Sequence, residues 1–194
     1  MLKRLFDIFF SSIFIIIFSP IIIIFSFLIW NQDKKSPFYI AERVGKKEKI
    51  FKMIKFRSMV INADKSGVDS TSDNDERITP LGQLIRKYKI DELPNFINIF
   101  KGDMSFVGPR PDVPGFADCL EGGARAVLSI RPGITGPATL KYRNEEVLLA
   151  ARQNPEAFNR DVIWPDKVRI NLDYIKNWSL RRDVQYILRS VEIL

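Results

Sequence analysis

The hydrophobic pattern divides the chain into one long apolar run and a body of short alternating or helical segments. Residues 13–30 are apolar except for Ser19, Pro20 and Ser26. Eighteen helical residues reach about 27 Å at ~1.5 Å each, close to the ~30 Å hydrocarbon core of a bilayer. Further along, "FYIAERVG" and "KIFKMIKFRSM" alternate and carry aromatic and β-branched residues. With Gly45-Lys46-Lys47 between them they predict a β-hairpin. Residues 61–78 are polar and predict a mobile loop. Thr79-Pro80 pairs a capping residue with proline at the first helical position, a helix start, and Leu81, Leu84, Ile85 and Tyr88 then share one face. Asp91 reads as the N-cap of a further helix whose stripe is Leu93, Phe96, Ile97 and Phe100, with Gly102 as its C-cap. "MSFVGPRP" predicts a short strand running into a rigid loop, and "RPGITGPA" (131–138) a turn-rich segment. Helical stretches follow at roughly 143–153, 165–177 and 179–193. The last has an apolar face of Leu180, Val184, Ile187, Leu188 and Val191, suited to the core or to a membrane surface.

Charge changes the reading of the first run. Lys3 and Arg4 precede it, and Lys34 and Lys35 follow it. Basic flanks favour the cytoplasmic side, so a straight span leaves one pair on the wrong side. A helix that enters, bends at Ser19-Pro20 and returns satisfies both, because proline removes a backbone donor and crowds the preceding turn. Asp7 is costly deep in lipid and is expected at headgroup depth. A single span, a core helix and a cleaved signal peptide remain as alternatives; against the last, no small-x-small cleavage site follows. The reading therefore divides the chain into a re-entrant membrane helix, 1–35, and a cytosolic domain, 36–194. The fold class is a small mixed α/β domain.

Composition narrows the chemistry. The chain has 30 Lys and Arg against 23 Asp and Glu, a net charge of +7. That balance favours anionic partners. Part of it flanks the membrane segment and no recognition motif for nucleic acid appears, so none is expected as a partner. Cys119 is the single cysteine and histidine is absent. A zinc site of the usual ligands is thereby disfavoured, as are Ser-His-Asp and Cys-His nucleophiles. A nucleophilic carboxylate remains, and Mg²⁺ held by one or two carboxylates and substrate phosphates fits the composition.

Asp91 and Glu92 are adjacent in "KIDELPN". Acidic residues at a helix start ordinarily cap free N–H groups. Successive helical residues point ~100° apart, so the pair suits two separate tasks better than a shared proton: one carboxylate attacks while its neighbour holds a metal. Arg86, Arg110 between two prolines, and Arg143 after "RPGITG" supply guanidinium groups suited to bidentate phosphate binding, although arginines taken singly are usually solvated.

"KRLFD", the apolar run broken by "SP", "KFRSM", "LIRKYKIDELPN", "KGDMSFVGPRP" and "RPGITG" resemble, in that order, the bacterial sugar transferase family, the monotopic phosphoglycosyl transferases. The resemblance covers nearly the whole chain. It implies transfer of a phosphosugar from a UDP-sugar to polyprenol (undecaprenyl) phosphate, with release of UMP. The setting would be the cytoplasmic face of the bacterial inner membrane, at the first membrane step of glycan assembly. It also implies that Asp91 is the nucleophile, that Glu92 helps hold Mg²⁺, and that Arg86, Arg110 and Arg143 lie near the phosphates. After residue 111 the sequence departs from the commonest family pattern, which leaves the sugar open and Arg143 less securely matched. Oligomeric state is not legible.

Overall fold

The computed structural model describes residues 1–63 and 75–192, so most of the expected 61–78 loop lies outside the described residues. The fold is mixed α/β. Helix α1 (Leu2–Asp33) leads into an antiparallel hairpin of β1 (Phe38–Val44) and β2 (Ile50–Phe56), registered from Phe38 opposite Phe56 to Val44 opposite Ile50. Helices α2 (Pro80–Lys87) and α3 (Asn95–Lys101) follow, then β3 (Ser105–Val107). Strand β4 (Gly133–Thr135) pairs parallel with β3. The C-terminal part is helical: α4 (Pro137–Lys141), α5 (Glu145–Ala150), α6 (Pro155–Phe158), α7 (Trp164–Lys176) and α8 (Leu180–Glu192). The segment read as turn-rich thus contains a strand, because parallel pairing with β3 satisfies backbone groups that a turn would leave to water.

Helix α1 runs through Pro20 without interruption, with Ser19 Oγ donating to Ile16 O at 2.8 Å. The expected break is therefore not a gap in the helix. Both ends of α1 rest on the same folded body. At the start, Lys3 Nζ pairs with Asp183 Oδ2, and Arg4 donates to Ile99 O and Phe100 O at 2.6 and 2.7 Å. Asp7 is 1% exposed and accepts from Ser105 Oγ and Phe106 N at 3.0 and 3.2 Å. It is thus sheltered by protein rather than by headgroups, since β3 supplies donors that lipid does not. At the other end, Asp33 takes both terminal guanidinium nitrogens of Arg57, and Ile29 is buried with Phe56 and Ile85. Between them Ile16, Ile17, Ile23, Ile24 and Phe27 remain exposed, an apolar face that none of the described residues covers.

The core lies between α1, the hairpin and α3. Phe14 and Phe18 pack on Phe96, and Ile99, Met104, Phe106 and Val107 fill the centre. Helix α3 is buried on two sides, so Asn98 and Ile99 face inward while Phe100 is exposed, unlike the single stripe read from the sequence. Asn98 Oδ1 accepts from Ile54 N and its Nδ2 donates to Lys52 O, fastening α3 to the inner edge of β2. The cap at Thr79 forms as expected, with Oγ1 accepting from Gly82 N at 2.9 Å. Of the expected α2 face, Ile85 is buried and Leu81 packs beside it, while Leu84 and Tyr88, the residue just past the end of the helix, are exposed. On α8, Ile187 packs inward with Tyr186, whereas Val184, Leu188 and Val191 are exposed.

Candidate active site

Lys89 adopts φ 54°, a left-handed conformation that ends the α2 turn and starts a short 3₁₀ turn, Ile90–Glu92, leading through Leu93-Pro94 into α3. Asp91 therefore lies inside a helical turn rather than in front of one. It caps nothing: Lys89 and Pro94 hold the cap positions, and neither cap involves a side-chain hydrogen bond. This overturns the capping expectation. Asp91 is half-buried, and its Oδ1 is buried without a hydrogen-bond partner among the described residues. Burial, and then the neighbouring Glu92 charge, push its proton affinity up; Lys55, Lys89 and Arg86 pull the other way.

Glu92 is its electrostatic opposite. Its Oε1 accepts from Lys55 Nζ at 2.9 Å and from Arg110 Nη2 at 3.2 Å. Burial alone would raise its pKa, but Arg110 and Lys55 outweigh it and hold the carboxyl at about 2. Two adjacent carboxylates are thus pushed apart in acidity, a pattern associated with distinct chemical roles.

Arg110 is aimed by a backbone interlock. Ser105 N donates to Pro132 O, Gly108 N to Thr135 O and Gly133 N to Pro109 O, each at 2.8–2.9 Å. The "VGPRP" and "RPGITG" loops are stacked so closely that a Cβ at Gly108, Gly133 or Gly136 would collide with the backbone of the facing loop. This close approach explains why both motifs place glycine where they do. Gly136→Ala is expected to cost about 1–3 kcal/mol and to lower activity by displacing Arg110. Thermal melting and turnover of the purified variant check it; unchanged values for both would contradict the interlock.

Arg86 is half-buried on α2, and its charge reaches Asp91. Asp91, Glu92, Arg86 and Arg110 are therefore brought together. Arg143 is exposed in the turn between α4 and α5, and the direct partners of Glu92 are Lys55 and Arg110 instead. Lys55 was missed by the sequence reading, which took it as one polar position in an alternating strand. Its signal lay in period 2, since it stands on the face opposite Phe56. Asp112 was also missed. It is half-buried, its backbone O accepts from Val44 N at 2.9 Å, and its charged surroundings are Lys167, Arg110, Arg43 and Glu145.

Among the described residues no group of three or more His, Cys, Asp and Glu side chains could hold a metal by itself. The ionised Glu92, whose hydrogen bonds among the described residues all fall on Oε1, fits a Mg²⁺ ion that takes its remaining ligands from substrate phosphates and water.

The family model described as bacterial sugar transferase matches residues 1–194. The chain belongs to the bacterial sugar transferase family. This sugar transferase is 31% identical to the exopolysaccharide production protein ExoY of Rhizobium meliloti over 98% of its length and 84% of the relative's. It is 34% identical to the UDP-N-acetylgalactosamine-undecaprenyl-phosphate N-acetylgalactosaminephosphotransferase of Aeromonas hydrophila, and 33% identical to the undecaprenyl-phosphate galactose phosphotransferase of Salmonella typhimurium. Both matches take in the whole chain but only 43% and 40% of those larger relatives. Among the described residues, the Asp91–Glu92 turn is where carboxylates meet Lys55, Arg86 and Arg110.

Proposed function

We propose that this transferase moves a phosphosugar from a UDP-sugar onto undecaprenyl phosphate and releases UMP, through a covalent phosphosugar on Asp91. The observation that carries this reading is the buried Asp91 oxygen with no donor, beside a Glu92 locked in its ionised form. A carboxylate without hydrogen-bond donors keeps its lone pairs free to attack phosphorus, and no proton need be removed once it is ionised. In the first half-reaction Asp91 Oδ attacks the β-phosphorus, and the bond to the UMP leaving oxygen breaks. In the second, an oxygen of the lipid phosphate attacks the same phosphorus, and Asp91 leaves as carboxylate. Mg²⁺ held by Glu92 would neutralise diphosphate charge. Arg110 and Arg86 supply a cationic frame suited to phosphoryl transfer, Arg143 is retained as a phosphate ligand on the family resemblance alone, and Lys55 fixes the Glu92 rotamer. The names of the relatives support the lipid acceptor and a role in polysaccharide assembly. Incubating the membrane-embedded protein with a panel of UDP-sugars and undecaprenyl phosphate should release UMP for at least one sugar and stop with EDTA. No UMP from any sugar, or full activity in EDTA, would contradict the reading.

The same proposal places the folded body on the cytoplasmic face of the inner membrane, with α1 dipping into the bilayer and returning. Its support is that Lys3, Arg4 and Asp7 at one end and Asp33 at the other are tied to one folded body. A straight 32-residue helix spans about 48 Å, and a body at one membrane face cannot hold both ends of a helix that crosses. In a Cys119→Ser background, single cysteines at residues 2 and 35 should both resist an impermeant periplasmic reagent. Labelling of residue 2 alone would show a true span.

A further inference from the structure

Asp112 is a half-buried carboxylate on the loop that presents Arg110, yet none of the side-chain hydrogen bonds or ion pairs among the described residues engages it. Its position is set through its backbone, by Val44 N, and not through its carboxylate. The charged groups facing it come from four elements: Arg110 from its own loop, Arg43 from β1, Lys167 from α7 and Glu145 from α5, with Lys167 occupied by Glu145 at 2.5 Å. Arg110 is the hub. It bonds Glu92 at 3.2 Å, and its charge couples to both Asp91 and Asp112. Asp112 therefore stands two residues beyond the arginine that bonds Glu92, with its oxygens uncommitted among the described residues.

We infer that Asp112 is the base that takes the proton from the acceptor lipid phosphate before that phosphate attacks. This deepens the reading given under Proposed function. A phosphomonoester keeps one proton below its second pKa of about 6, and a site already holding an anionic phosphosugar makes that proton harder to lose. The protonated monoanion is the poorer nucleophile. In the step, the P–O–H proton moves to Asp112 Oδ while the freed oxygen bonds the phosphorus on Asp91. The P–O bond to Asp91 breaks, its electron pair returns to the Asp91 carboxylate, and Asp112 later gives the proton to water. No oxidant or further reactant is needed. Burial is the chief influence that lifts the Asp112 carboxyl, opposed by Lys167, Arg110 and Arg43, and it sits at about 6, so it is ionised at a pH where the acceptor phosphate in the anionic site still keeps its proton.

The test is the pH profile of lipid-dependent turnover for wild type, Asp112→Asn and Asp112→Glu, with UMP release in the absence of lipid measured separately. Asp112→Asn should track the dianion fraction of the acceptor. Its acidic limb should move up by about one pH unit, with a loss of about tenfold or more at pH 5.5 that narrows by pH 8. Asp112→Glu should restore the wild-type limb. Lipid-free UMP release should slow far less than lipid-dependent turnover. An equal loss at every pH, an equal loss in both half-reactions, or no change at all would each overturn the inference. The first two would mark Asp112 as a structural or donor-binding residue. Absence of lipid-free UMP in wild type would instead count against the Asp91 intermediate. The limb shift still tests Asp112 in that case, because the acceptor phosphate attacks phosphorus by either route.

Discussion

Asp91→Asn is expected to abolish turnover and at the same time to make the protein more resistant to heat. Removal of a covalent nucleophile costs on the order of 10³-fold or more. The amide keeps the shape of the side chain and cannot form the phosphosugar bond. The gain in stability has a separate origin. Wild-type Asp91 is half-buried, has an oxygen without a donor and stands beside another carboxylate, so its ionised form is penalised by the fold. Its pKa is higher in the folded protein than in the unfolded chain. The stability tied to its protonated form is present at acid pH and lost as pH rises through the folded value. At neutral pH the wild type therefore carries a penalty that asparagine lacks. A gain of about 1 kcal/mol, or roughly 2–4 °C in Tm for a protein of this size, should shrink as the pH is lowered. Calorimetry at two pH values checks it. A variant that melts below wild type at neutral pH would show that Asp91 is a structural residue.

Glu92→Gln is expected to lose activity too, but to lose stability with it. Glu92 holds Lys55 and Arg110 on one oxygen, and the side chains of Glu92 and Lys55 are 17% and 18% exposed. Glutamine leaves Lys55 half-buried without its ion-pair partner, a cost of about 1–3 kcal/mol, tempered at Arg110 because that side chain is about half exposed. The sign with pH is opposite to that of Asp91. The Glu92 pKa is lowered to about 2 in the fold. Its contribution is therefore present above the ordinary carboxylate range and lost as pH falls toward that value. The difference between wild type and Glu92→Gln should close in acid. Turnover should fall by about 10²-fold or more, because the ligand for the proposed Mg²⁺ and the anchor of Arg110 go together. Retention of full activity would remove Glu92 from the chemistry.

The contrast between these neighbours shows where the sequence stops being informative. The pair itself, its place between two short helices, Arg86 and Arg110 were all legible, because motif, proline and cap signals act over a few residues. What made the two carboxylates different was not. Lys55 reaches Glu92 from a strand 37 positions away; alternation fixes which face of the strand it is on, but no local pattern announces which partner that face will meet. The left-handed Lys89 was equally hidden. A lysine gives no hint of positive φ, yet that one residue moves Asp91 from a capping position into the turn. The hairpin, the Thr79 cap and the Gly102 end followed from turn and capping chemistry. Strand β4 did not, since Ile134 and Thr135 are β-branched but stand between Gly133 and Gly136, too short a run to show a period, and pair because β3 lies alongside. For Asp7, the hydropathy argument correctly identified a costly charge, and burial against β3 rather than depth in the bilayer resolved it.

The central claim is that the sugar phosphate rests on Asp91 between two half-reactions. Intact-mass measurement of the detergent- or nanodisc-embedded protein, mixed with its UDP-sugar in the absence of lipid acceptor, tests it most directly. The account predicts a mass increase of one phosphosugar on wild type, with about one UMP released per active site, and neither signal from Asp91→Asn. An unmodified wild-type mass, with UMP formed only once undecaprenyl phosphate is added, would contradict it and leave direct transfer between the two substrates.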